Sequence, residues 1–436
     1  MTKKKIFILG AGLAGLSAAW HLQKRGFNCR VIEKEKEAGG LCRSKKISGF
    51  TFDYDGHLLH FKHAYAFNLI KELLGSNLCG HKRSAWVYSY GTYSRYPFQA
   101  NLHGLPSAIA KECLLGFIKA AEAASGREVK KELSFLDWIG RTFGSGIARH
   151  FMVPYNTKFW TVPLKHMTCE WLDSFIPVPS LSQLVEGTLR ESQKQFGYNA
   201  FFWYPRKGGI SEVPASLASR IKNIDTGAKV TEIDLAKKEI RINSGTREKF
   251  DWLVSTVPLP EIAHLVKALP DGIAASFAKL KWNSIFNLNL GIDRKDSLSR
   301  HWAYFPQKEI CFFRVGFPHN FSDSLVPAGK SSLYAEAAYS KDRPIDKNKI
   351  ASRIEDALKK TGIVGQDDAF CVQDINDIKY GYPIYDINYR RVRNEIIEYL
   401  IDRNIMPCGR YGSWRYMSME DALLDGRKVA DRLAMV

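Results

Sequence analysis

Several things the chain does not contain narrow its chemistry. Its eight cysteines include no pair in C-x-x-C spacing. That argues against a zinc site or a disulfide framework and suits a reducing compartment. No apolar run approaches the roughly 18 residues of a membrane-spanning helix. The basic start, residues 1–5, runs straight into an apolar segment, without the separate hydrophobic region and cleavage site of a secretory leader. Internal repeats and low-complexity segments are missing. So are a Ser-His-Asp arrangement and a metal-ligand cluster, which leaves the chemistry to a bound cofactor. Acidic residues are scarce: 45 against 63 Lys and Arg, a formal charge of +18 over 436 residues. Such an excess suits anionic ligands such as nucleotide diphosphates, or an anionic membrane surface. No nucleic-acid-binding motif accompanies it, so nucleic acid is not the expected partner. The chain reads as cytosolic, with contact at a membrane surface left open and no oligomeric state legible.

What is present begins at Ile6. Four apolar residues, Ile6 to Leu9, predict a buried parallel strand, followed by Gly10-x-Gly12-x-x-Gly15. The first glycine allows a tight turn, the second lets backbone approach a pyrophosphate, and the third lets helix and strand pack closely. A helix is expected over Leu13 to Lys24, its N-terminal N–H groups aimed at phosphate. A second strand, Cys29 to Ile32, ends in Glu33, where a carboxylate accepts hydrogen bonds from an adenosine ribose. Strand, glycines, helix, strand and acid in that order predict dinucleotide binding.

A second glycine pair follows, Gly39-Gly40-Leu41-Cys42-Arg43. Its glycines let backbone crowd a ligand, and Arg43 can face a diphosphate. With the first motif, it resembles the flavoprotein superfamily of amine oxidases, phytoene desaturases, protoporphyrinogen oxidases and UDP-galactopyranose mutases. The resemblance implies FAD. It also implies that a segment like Lys229-Val230-Thr231 contacts the adenine and that a segment like Ser255-Thr256-Val257-Pro258 closes over the cofactor. Near the C-terminus, Gly409-Arg410 and a helix from about Ser418, with Met419 at its start, return to the flavin. The expected FAD contacts are thus Gly10, Gly12, Ala14, Gly15, Glu33, Lys34, Gly40, Leu41, Arg43, His57, Arg83, Val230, Gly409, Arg410 and Met419.

The expected fold class is α/β, with an α+β substrate part. A discontinuous Rossmann-type FAD domain comprises 1–80, 200–265 and 395–436. Residues 81–199 read as a mainly helical cap, with helices over Pro106 to Ala124 and Leu133 to Phe151. Residues 266–394 read as an antiparallel-sheet substrate domain. The stretch before Asn199 and the turn at Gly208-Gly209 are candidates for covering the site.

Several windows across the chain resemble UDP-galactopyranose mutases, especially the eukaryotic type. They are Asp55-Gly56-His57; Tyr96-Pro97-Phe98-Gln99; Pro154-Tyr155-Asn156 with Trp160, Met167 and Trp171; Trp302-x-Tyr304 with Arg314; Gly381-Tyr382-Pro383; and Arg410 with Tyr416. The resemblance implies that Arg314 and Tyr382 hold a substrate diphosphate and that His57 lies against the flavin. It makes Tyr96, Gln99, Asn156, Trp160, Trp302, Tyr304 and Tyr416 substrate contacts. The implied activity is interconversion of the pyranose and furanose forms of a nucleotide-diphosphate sugar, with N5 of reduced FAD as nucleophile and no net redox. Two features depart from the family. Phe175 stands where a second diphosphate-binding arginine is expected, with Lys158, Arg206, Arg390 and Arg391 as candidate substitutes. Met417 to Asp421 replaces the eukaryotic-type signature. Phe175 favours a less anionic ligand, which keeps an FAD-dependent oxidase or dehydrogenase open as an alternative. A non-catalytic FAD-binding protein of glycan assembly is the third.

Overall fold

The computed structural model describes residues 4–124, 133–172, 175–191, 196–197, 199–243, 245–296 and 298–435. Five parallel strands form one sheet, in the spatial order Ile405–Pro407, Trp252–Ser255, Ile6–Leu9, Cys29–Ile32 and Ile224–Asp225. The central strand, Ile6–Leu9, is buried at every residue, as a parallel strand with neighbours on both edges and helices on its faces must be. Strands from widely separated parts of the sequence therefore meet here. The helix Leu13–Lys24 leaves this strand and packs on the last helix, Met419–Met435. The Ser17 hydroxyl donates to the Leu423 carbonyl at 2.6 Å across that contact.

The strand-to-helix turn tolerates no side chain at Gly15. A Cβ there would stand 2.0 Å from the Gly10 carbonyl oxygen, and backbone cannot move aside as a flexible side chain could. Gly15→Ala is expected to cost about 1–3 kcal/mol through overpacking and to lower the flavin retained on purification. Thermal unfolding and flavin absorbance check both.

The second sheet has seven strands, in the order Phe370–Pro383, Trp282–Ile292, Ser331–Tyr339, Arg314–Gly316, Trp302–Tyr304, Ala85–Ser89 and Thr92–Arg95. All its pairings are antiparallel except that of Trp302–Tyr304 with Ala85–Ser89. The last two strands come from the stretch expected to be a mainly helical cap, 81–199, and join the sheet whose other strands lie within the expected 266–394. Ala85–Arg95 is a hairpin turning at Tyr90-Gly91, and its partner strand lies far along the chain, so local pattern did not reveal the join. The predicted hairpin after residue 228 gains a third strand, giving Val230–Asp234, Glu239–Ile242 and Thr246–Lys249.

Helices Ser107–Ala124, Phe135–Ile147, Val153–Trp160 and Leu181–Leu189 form the cap. Aromatic contacts seat it on the large sheet: Tyr155 on Tyr304 at 5.5 Å and Phe159 on Phe313 at 5.2 Å between ring centroids. Most of the stretch before Asn199 lies outside the described residues. Among the described residues, no helix is long and apolar enough to cross a membrane.

Candidate functional site

The glycine motifs converge on one floor. Gly10 has φ +100°, and a Cβ on Gly40 would stand 3.1 Å from the Gly12 Cα. The Gly39 N–H donates to the Ala11 carbonyl at 2.8 Å, tying the two glycine pairs together. Glu33 is buried. Its carboxylate accepts the Ala11 N–H at 2.7 Å and the Glu35 N–H at 2.9 Å. Each oxygen keeps a further lone pair for a ribose hydroxyl. The helix Leu13–Lys24 has no side-chain cap and no acid in its first turn, which leaves its N–H groups and positive end to an anion. Arg43 is aimed by its Nε donating to the Gly40 carbonyl at 2.8 Å and by the Tyr54 ring at 4.6 Å. Gly409 closes on the same helix, where an added Cβ would lie 2.4 Å from the Ala14 Cβ. Uncapped helix end, side-chain-free floor and buried acid together fit a dinucleotide. Lys34 points outward to Glu35 at 3.7 Å. Leu41 is half-buried, Val230 is buried at a register shift, and Met419 starts the last helix.

The large sheet supplies the second half of the site through its register. Tyr304 lies opposite Arg314, Arg314 opposite Glu336, Glu336 opposite Asn287, and Asn287 opposite Asn376. Directly opposed residues share a face, so one polar row crosses five strands. Within it Arg314 and Glu336 form a two-pronged ion pair: Nη2 donates to Oε1 at 2.6 Å, and Nε donates to Oε2. Glu336 is fully buried. Asp55 lies within hydrogen-bonding reach of Glu336. Burial and the Asp55 carboxylate push the Glu336 carboxyl well up against the pull of Arg314. Two carboxyls in contact cannot both ionise freely, so the pair shares a proton and titrates as a unit.

Arg410 sits among rings, its guanidinium carbon 4.3 Å from the Tyr382 centroid and 5.1 Å from that of Tyr416. Its Nε and Nη2 are buried and meet no protein acceptor among the described residues. These orphaned donors fit a bound anion or flavin carbonyl. Tyr382 stacks on Tyr416 at 5.4 Å, and its N–H donates to Asn283 Oδ1 at 2.8 Å. Burial, with Arg410 and Arg314 nearby, holds His57 below the usual imidazole range despite Asp55. Its ring is therefore neutral at pH 7. Tyr96 lies against Tyr304 at 5.0 Å, with Arg83 over its other side at 4.8 Å.

Other predicted contacts are placed differently. Asn156 spends its amide on the Met152 carbonyl at 2.7 Å within its own helix. Gln99 donates to the Pro177 carbonyl at 2.8 Å, while its Oε1 is buried without a donor. Trp160 is buried against Trp171 at 4.7 Å and Tyr382 at 6.0 Å. Trp302 packs on Phe202 at 5.7 Å, in the core shared with the parallel sheet. Arg83 donates to the Phe196 carbonyl at 3.0 Å and to Asn199.

The candidate replacements for the second arginine fall away from the inner site. Lys158 donates to the Phe305, Gln307 and Phe312 carbonyls at 2.6, 2.5 and 3.1 Å. Burial pulls its pKa down to about 7, yet three carbonyl acceptors are all satisfied only by the protonated amine. Lys158 is thus a structural tie, and Lys158→Met is expected to destabilise the cap against the sheet by about 1–3 kcal/mol through stranded carbonyls, measurable by urea unfolding. Arg206 borders a separate groove with His319 and Ser322, Arg390 pairs with Glu170 at 3.2 Å, and Arg391 is exposed. Sequence reasoning missed Glu336. Glu336 is the one charge in the strand Ser331–Tyr339, a signal that was available. Phe175 itself is covered by Lys62, whose Nζ lies 5.3 Å over its ring.

The family profile of flavin containing amine oxidoreductases matches residues 13–434. A crystal structure of reduced UDP-galactopyranose mutase superposes with a TM-score of 0.94 at 27% identity, covering 99% of this chain and 94% of that one. A putative protoporphyrinogen oxidase from Exiguobacterium sp. 255-15 superposes at 0.77 with 15% identity, covering 100% and 99%, a likeness of fold alone. By sequence, 60 residues are 40% identical to the 1-hydroxycarotenoid 3,4-desaturase of Flavobacterium sp. (strain P99-3), which is 14% of this chain and 12% of that enzyme. The matched stretches span about half or less of the curated relatives. With the profile covering nearly the whole chain and the cradle built for a dinucleotide, this protein belongs to the flavin-containing amine oxidoreductase family and takes FAD as its cofactor.

Proposed function

We propose that the protein is a flavin-dependent nucleotide-sugar mutase, interconverting pyranose and furanose forms of a nucleotide-diphosphate sugar. The observation that carries this is the character of the inner site: two guanidiniums, Arg314 and Arg410, among four tyrosines, Tyr96, Tyr304, Tyr382 and Tyr416. Tyrosine rings with hydroxyl tips suit a hydroxylated sugar, and guanidiniums suit phosphate oxygens. An apolar polyene would strand those polar groups, and a protonated amine would face two cations. The full-length likeness to a reduced UDP-galactopyranose mutase supports the same conclusion.

Bound FAD in its reduced state supplies nucleophilic catalysis at the anomeric carbon without net redox. The chain's own residues hold the leaving diphosphate close so that it can return. Arg314, steadied by Glu336, and Tyr382 are placed to do this. Neutral His57 accepts or donates one hydrogen bond without adding charge. A second reading, an FAD-dependent oxidase or dehydrogenase, draws on Phe175 and on the partial neutralisation of Arg314 by Glu336. Titrating the FAD-loaded protein with UDP-galactose and other nucleotide sugars, read as a shift of the flavin absorbance, tests the proposal. Binding is expected in the wild type and is expected to weaken at least tenfold in Arg314→Ala, the scale of one charge-assisted contact. Unchanged binding in that variant would remove the central residue.

A further inference from the structure

Arg314 is engaged before any ligand arrives. Its Nε and Nη2 both donate to Glu336, so Glu336 occupies the two-pronged edge that a phosphate would otherwise take. The third nitrogen, Nη1, has no protein acceptor among the described residues, and the side chain keeps 20% of its surface open. Glu336 is met from elsewhere by Asp55, within hydrogen-bonding reach. Asp55 is fixed by its own turn, where its Oδ1 accepts the Gly56 N–H at 2.8 Å. That turn is packed hard on the sheet: a Cβ on Gly56 would stand 2.3 Å from the Tyr334 hydroxyl oxygen. Tyr334 precedes Glu336 by two residues in one strand, so the two share a face. One guanidinium and two carboxyls are thus held together with little freedom to separate.

Most other titratable groups around the pair keep their protonation state near neutral pH. Burial pushes up Tyr155 on the cap, Tyr304, Tyr334 and Tyr382 on the sheet, and Tyr411, so all five are neutral. Arg410 stays charged. Two groups remain that could also respond to a bound anion. His57 is held below the usual imidazole range by burial. Asp53 is pushed up to about 6 by burial. Its carboxylate accepts from the Ser44 and Tyr204 hydroxyls, each at 2.6 Å, and from the Ile210 N–H at 3.1 Å. Among the described residues, no hydrogen bond joins Asp53 to Arg314.

We propose that Asp55 and Glu336 make anion binding at Arg314 proton-linked: as an anion docks on the guanidinium, the carboxyl pair takes up a proton from solvent. The sign follows from charge. An anion on Arg314 sets a like charge beside the carboxyls and draws off part of the guanidinium's pull. Both effects favour the protonated pair, whose Glu336 carboxyl burial already pushes up. By linkage, affinity falls as pH rises, by up to about tenfold per pH unit where a full proton is taken up. The neutralising charge on Arg314 thus gives way when the ligand arrives, which reconciles the buried ion pair with a diphosphate. Asp55 and Glu336 are positioning residues here, acting through Arg314. The inference rests on Arg314 as the anion-binding residue of the nucleotide-sugar site proposed above.

Isothermal titration of the FAD-loaded protein in two buffers of different ionisation enthalpy counts the protons taken up. The probes are UDP-galactose and sulfate, neither of which carries a proton of its own near neutral pH. Expected in the wild type is uptake of up to one proton, with affinity falling as pH rises. Glu336→Gln keeps the shape of the side chain without its charge. It should lose most of the uptake and bind with a flatter pH profile, more tightly than the wild type on the alkaline side. Asp55→Asn leaves Glu336 without its like-charged neighbour and should move the transition to lower pH. Wild-type binding of UDP-galactose without proton uptake overturns the coupling while the nucleotide-sugar reading stands. Uptake unchanged in both variants sends the proton to His57 or Asp53 and overturns it equally. Sulfate binding with variant-sensitive uptake, but no UDP-galactose binding, upholds the coupling and counts against the nucleotide-sugar reading. Binding of neither probe removes both.

Discussion

Glu336→Ala is expected to cost about 3–5 kcal/mol of stability. Its carboxyl is fully buried and holds Arg314 on two prongs, while Arg314 itself is only 20% exposed. Breaking a buried pair from one side strips the guanidinium of its two-pronged partner in a place water scarcely reaches, with Asp55 the one carboxyl left to it among the described residues. Removing both charges is a different experiment. Arg314→Met with Glu336→Leu replaces the pair by apolar side chains of similar bulk, and such replacements are neutral or stabilising by about 1–4 kcal/mol. The double variant should therefore unfold in urea at or above the wild-type midpoint, while nucleotide-sugar binding stays lost. Stability and binding would then be separated within one pair of residues. A double variant as unstable as Glu336→Ala would mean that the polar row is needed for the sheet itself.

Arg410→Gln should show the opposite balance. Its guanidinium is boxed by Tyr382, Tyr411 and Tyr416, and two of its nitrogens have no protein acceptor among the described residues. A buried cation with unmet donors contributes little to folding, so the melting temperature should hold or rise. Function should fall steeply. A preorganised donor aimed at developing charge is worth about 10²–10³ in turnover, and a loss of that size is expected in the reduced enzyme. Flavin absorbance of the purified variant tells whether the loss lies in cofactor retention or in the chemical step. A fall in stability with turnover intact would assign Arg410 to the scaffold.

The two halves of the site were unequally legible in the sequence. The dinucleotide cradle is local: its glycines, helix and acid follow one another within Ile6 to Glu33, and each residue type is dictated by backbone geometry or charge. The sheet half is not local. Arg314 could be singled out, but its partner Glu336 is set by strand register, and register is fixed by the whole sheet. The same cause hid the hairpin Ala85–Arg95, whose partner strand starts at Trp302. Asn156 is a substrate contact only by the family resemblance. Its amide instead turns back to the Met152 carbonyl, the habit of a short polar side chain inside a helix. Phe175 reads in the sequence as a missing charge, while what lies over its ring, Lys62, comes more than a hundred residues earlier, with its backbone held by Glu420 near the other end of the chain.

The chemistry itself is reached most directly by turnover under controlled flavin redox state. The FAD-loaded protein, once reduced with dithionite and once oxidised, is incubated with a panel of nucleotide-diphosphate sugars, and products are separated by chromatography. A nucleotide-sugar mutase forms the furanose isomer only when reduced, with the flavin spectrum unchanged at the end. Bleaching of the oxidised flavin by a substrate, with no furanose product in either state, would contradict the mutase account and make the protein an oxidase or dehydrogenase.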